Sequence, residues 1–168
     1  MLYRGKRSSA AFFLSTGLAT TLLAGCGSRP DKNLAIANLR AIISAQITYS
    51  ATCGQGGYAT TLEDLARPTR ADGITFIGSN LGTNGIIRGG YKLTVAKDAA
   101  AGVSDVGTAA ETCNGSVRAP ASSFFVSAEP VTPGRAPYLA ADARGIIFYG
   151  AKPISNPIVE SAAVERLR

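Results

Sequence analysis

The apolar positions of this chain change period near residue 70. Ile36, Leu39, Ile43 and Ile47 recur at the spacing of one helix face, with Ile42 beside them. The other face carries Asn38, Ala41, Ala45 and Thr48, small enough for another element to approach closely. Asp31 is placed to cap the N-terminus, Pro30 holds the preceding residue extended, and Gly54-Gln55-Gly56-Gly57 ends the pattern. A helix over 33–52 follows. Thr60–Ala66 reads as one or two further helical turns. Thr60 or Thr61 caps them, Glu63 and Asp64 complement the helix dipole, and Arg67-Pro68 stops them.

Beyond that point short runs take over. Ile74–Ile77, Tyr91–Val95 after Gly89-Gly90, Phe124–Ala128, Tyr138–Ala140 and Ile146–Tyr149 read as strands. Residues 131–134 and 142–145 read as turns between them. Residues 96–123 are rich in Ala, Gly, Ser and Thr and predict a long surface loop containing Cys113. After Pro153 and Pro157, Val159–Leu167 reads as a short helix or a simple tail. One long N-terminal helix packed on one face of a small antiparallel sheet, with many loops, makes an α+β domain. The Ile36–Leu39–Ile43–Ile47 stripe is expected to face the strands, and Ala41, Ala45 and Thr48 to face solvent or a partner.

The length of 168 residues suits one domain with small additions, and 46% hydrophobic residues can supply a core. Composition narrows the chemistry further. The chain has no His, which excludes Ser-His-Asp and Cys-His catalysis and His-ligated zinc. Three Cys cannot form a four-cysteine zinc site. Phosphate-loop, dinucleotide-loop and serine-nucleophile motifs are missing. Glu63 and Asp64 are adjacent on a helix and point about 100° apart, so they do not share a site. Asn114-Gly115-Ser116 matches a glycosylation pattern but reads as a turn. Tyr49, Tyr58 and Tyr91 read as aromatics at the edge of the core. No catalytic residue, metal site or cofactor is expected. The net charge is +6, yet three of the 17 basic residues precede Cys26 while no acidic residue does, so 14 basic face 11 acidic residues afterwards. Without a basic stripe carrying interleaved aromatics, no nucleic-acid partner is expected.

The start of the chain has its own pattern. Arg4, Lys6 and Arg7 precede an uncharged stretch, Ala10–Ala24, too short to span a bilayer, and then Leu23-Ala24-Gly25-Cys26. This resembles a bacterial lipoprotein signal peptide with its lipobox. The resemblance implies cleavage before Cys26 and lipidation of Cys26. Gly27, where Asp would favour the inner membrane, implies the outer membrane. It also implies export, hence an oxidising compartment in which Cys53 and Cys113 are expected to pair. The bridge would tie the helix end to the 96–123 loop and close about 60 residues, worth about 4 kcal/mol by chain entropy alone. Two free thiols are the alternative.

A second resemblance lies in the body of the chain. Asn38–Tyr49, Gly57-Tyr58-Ala59 with Leu62 and Leu65, Tyr91–Thr94, Cys113-Asn114-Gly115, Ala128–Gly134 and Asp142–Ile147 follow one another as in the globular heads of type IV pilins and pseudopilins. The prepilin leader and membrane helix are replaced by the lipobox segment. The implied organisation is a signal peptide over 1–25, a lipidated tether over 26–32, a pilin-like α+β domain over 33–150 and a C-terminal tail over 151–168. The implied role is that of a non-enzymatic, lipid-anchored envelope protein that binds, scaffolds or assembles. Its expected partners are membrane lipid and an envelope, pilus or secretion-machinery protein. The alternatives are a minor pilin or pseudopilin subunit, and a lipoprotein that binds a small ligand or glycan.

Overall fold

The computed structural model of the chain describes residues 29–167. Helix α1 spans Lys32–Thr52, and the Asp31 carboxylate accepts the Leu34 N–H at 3.0 Å as its N-cap. Ala35, Leu39, Ile42, Gln46 and Tyr49 form the buried stripe, at alternating steps of four and three residues. This stripe is rotated from the one the aliphatic pattern predicts. Ile36 is half-buried and Ile47 is 59% exposed.

The rotation has a polar cause. Gln46 sits in the middle of the stripe, fully buried. Its Nε2 donates to the Ala59 carbonyl at 2.7 Å, and its Oε1 accepts the Ala59 N–H at 2.9 Å. The amide thus pairs a passing backbone as a strand would, and its burial leaves no polar group unsatisfied. Ala45 turns inward with it, 5% exposed, while Ala41 and Thr48 remain outside. The small-residue face is therefore not wholly outward as expected.

Helix α2, Leu62–Ala66, follows, capped by the Thr61 hydroxyl. Strands β1 (Ile86–Arg88), β2 (Tyr91–Lys97), β3 (Phe124–Pro130), β4 (Tyr138–Asp142), β5 (Ile147–Gly150) and β6 (Val164–Arg166) form one antiparallel sheet in sequential order. The architecture is α+β. Helix α1 lies over β3 and β4, where Val126, Ala128, Leu139 and Ala141 help form the core. Tyr91, Leu93 and Val95 on β2 point to the same side, as the two-residue period of a strand requires.

Three elements differ from the sequence expectation. Ile74–Ile77 is not a strand. The N–H groups of Phe76 and Ile77 converge on the Leu65 carbonyl at 3.0 and 3.3 Å, and Phe76 packs edge-on against Tyr49. The run is held by the helices instead of a ladder. The strand beside β2 is β1, joined to it by Gly89 and Gly90 at φ 55° and 77°. Positive φ at both central residues is the geometry that matches strand twist in a two-residue hairpin. Val159–Leu167 is not helical either. Val164–Arg166 pairs with β5, and the Leu167 N–H reaches the Ile147 carbonyl at 2.7 Å. The sheet thus takes in residues read from the sequence as a tail.

Candidate functional site

Helix α1 starts at the β1–β2 hairpin and ends at the β2–β3 loop, and these two ends of the domain differ in chemistry. At the far end, α1 finishes at Cys53, which forms a disulfide with Cys113 in the β2–β3 loop. The expected pairing is present, and it joins the helix end to that loop. Cys26 lies outside the described residues.

Beside the bridge is a buried polar chain. The Tyr49 hydroxyl meets Ser116 Oγ at 2.7 Å. Ser116 Oγ donates its one proton to Asn114 Oδ1 at 2.9 Å, so the phenol is the donor to Ser116. Asn114 Nδ2 donates to the Asp64 carbonyl at 2.7 Å. Asp64 is fully buried, and its carboxylate accepts the Val117 N–H at 2.7 Å and the Thr61 hydroxyl at 2.9 Å. Burial pushes the Tyr49 phenol above its ordinary pKa, and the charge of Asp64 adds to it. Every group here fastens the loop to the two helices. Asp64 does more than stabilise a helix start, a role that Thr-Leu-Glu-Asp does not advertise. Asn114 is buried with its amide committed, as a structural turn requires.

The near end is built around the β1–β2 hairpin. The Asp31 N–H donates to the Gly89 carbonyl at 2.7 Å, and the Val131 N–H donates to the Gly90 carbonyl at 2.9 Å. The start of α1, the hairpin tip and the β3–β4 turn therefore meet. Leu34 Cδ2 lies so close over Gly89 that a Cβ there would come within 2.8 Å of it. An open cleft of about 800 Å³ continues this end, between Arg135, Pro137, Tyr149, Lys152 and Val164. Tyr149 donates its hydroxyl to Glu165 at 2.6 Å and carries Lys32 Nζ 5.9 Å from its ring centroid. Tyr91 is fully buried and bonds the Pro137 carbonyl, and Tyr58 tilts against Phe124.

A third feature is a groove of about 720 Å³ between Ala41, Ser44 and Thr48 of α1 and the segment 69–76. It lies along the helix face expected to receive a partner, and the chain's own loop forms its second wall. Among the described residues no group of three His, Cys, Asp or Glu side chains is placed to hold a metal ion. Among them, too, no helix is long and apolar enough to cross a membrane. No family model, curated protein or solved structure matches this chain.

Proposed function

We propose that this chain is a lipid-anchored protein of the bacterial envelope, at the outer membrane, whose pilin-like head binds or scaffolds a partner without catalysis. The observation that carries the reading is the Cys53–Cys113 disulfide in a domain that follows a lipobox-like segment. Structural disulfides form and persist in oxidising compartments, and export to one is what the first 26 residues imply. The laying of α1 over an antiparallel meander agrees with a pilin-like head. The helix begins at Lys32, six residues after Cys26, so the anchor and the head's main helix are almost continuous.

Replacing Cys26 tests this. Wild-type protein is expected to incorporate radiolabelled palmitate and to fractionate with membranes. Cys26→Ser is expected to carry no label and to be released or to remain an unprocessed precursor. Equal labelling and fractionation of the two would overturn the reading.

A further inference from the structure

We infer that the near end of the domain is a membrane-contact surface, where Leu34, Ile87 and Val131 meet the interface amid basic side chains that face anionic phospholipid headgroups. The inference rests on the reading of Cys26 as the lipid anchor, and it adds the orientation of the head and the class of lipid.

Chain length selects this end. Arg29 follows Cys26 by three residues, which span at most about 11 Å when fully extended. Pro30 and Asp31 then pack against Gly90 and Gly89. Lipid on Cys26 therefore holds the hairpin end at the membrane, and the disulfide end points away.

Three of the exposed large apolar side chains lie around this hairpin. Leu34 is 42% exposed, Ile87 58% and Val131 48%. Leu34 covers Gly89, Val131 is bonded to Gly90, and Ile87 lies two residues before the tip.

Charge complements the lipid. Arg29, Lys32, Arg88, Lys92, Arg135 and Lys152 belong to this end. The acidic residues there are Asp31, Glu129 and Glu165. Among the described residues, six basic side chains thus face three acidic ones at this end. All three acids are engaged. Asp31 caps α1, Glu129 lies 3.0 Å from Lys92, and Glu165 accepts the Tyr149 hydroxyl. Arg88 Nε donates to the Asn80 carbonyl, and its charge remains. Each basic residue near an anionic surface adds about fivefold to attraction, an effect confined to a Debye length and weakened by salt.

The chain has no Trp, so a single introduced indole reports without background. Full-length Ile87→Trp is reconstituted through its own anchor into vesicles of phosphatidylcholine alone or mixed with phosphatidylglycerol, with brominated acyl chains as quencher. Val117→Trp, at the disulfide end and 67% exposed in the native chain, is the comparison. The position-87 indole is expected to be quenched at least ~twofold more in the anionic vesicles, and the difference to fall with salt. Adding Arg135→Glu and Lys152→Glu is expected to abolish it while the protein still floats with the vesicles. Position 117 is expected to show no quenching in either lipid. Equal emission from positions 87 and 117 in a protein that floats with anionic vesicles overturns the surface and leaves the anchor standing. Purified wild-type protein that carries no lipid by mass spectrometry overturns the anchor, and the surface with it.

Discussion

The two ends of this domain are held together in opposite ways. The disulfide end is a loop of low apolar content made rigid by a covalent bridge and a chain of buried polar groups. Asp64, Asn114, Ser116 and Tyr49 each give up water and recover a partner, and each would leave another group stranded if removed. The hairpin end is stitched mainly through backbone. Asp31, Gly89, Gly90 and Val131 are joined by main-chain hydrogen bonds, and Leu34, Ile87 and Val131 around them are exposed. The lesson is one of means: one end is closed by side chains that bond each other, the other mainly by main-chain bonds that leave Leu34, Ile87 and Val131 exposed.

The largest test of that contrast is Cys113→Ser. Loss of the bridge is expected to lower stability by about 2–5 kcal/mol, read from a urea unfolding curve whose slope rises as the unfolded chain, freed of the crosslink, exposes more surface. A change under the lower bound would mean that the polar chain alone holds the loop.

Tyr49→Phe comes next. It removes the donor to Ser116 and is expected to destabilise by about 1 kcal/mol at neutral pH. Its pH dependence sharpens the point. Burial raises the Tyr49 pKa in the folded state, so the unfolded phenol ionises first as pH rises. The stability that Tyr49 lends is then fully present below the unfolded value of about 10 and is lost as pH climbs through the raised one. Tyr91, raised by burial and then by the Asp31 charge, contributes in the same direction. The alkaline loss of stability is expected to be smaller in Tyr49→Phe than in wild type. Identical alkaline limbs would show that the phenol does not report the buried chain.

The smallest effect belongs at the other end. Ile87→Ser and Arg135→Ala are each expected to shift stability by no more than about 0.5 kcal/mol, because both side chains stand outside the core. A thermal melt that moves by several degrees in either variant would break the division between the ends.

The parts legible in the chain were those whose signal is local. Asp31 and Thr61 as caps, the glycine run after Thr52, and four of the five apolar runs behaved as elementary pattern rules require. What escaped the pattern depended on partners distant in sequence. Gln46 counts as polar in any periodicity, yet Ala59 makes it a core residue, and the helix face rotates accordingly. Ile74–Ile77 has strand composition, but Leu65 and Tyr49 reach it first. Val164–Arg166 lacks strand composition and becomes a strand because β5 presents an open edge. One miss was avoidable: Ile86–Arg88 before Gly-Gly and an alternating run is a hairpin signal. The cysteine bridge was anticipated from compartment, whereas the polar chain beside it had no sequence signature. The near end was invisible for a similar reason, since Leu34, Gly89 and Val131 meet only in three dimensions.

The bridge has one more consequence, for the connectivity of a damaged chain. The β2–β3 connection is the longest between neighbouring strands and the natural place for a protease to cut. A break anywhere from residue 98 to 112 falls inside the ring closed by Cys53 and Cys113. The fragment bearing α1, β1 and β2 then stays covalently attached to the fragment bearing β3–β6, with the full β2–β3 ladder still zipped between them. A nicked molecule keeps its outline, and only reduction would let the two pieces separate.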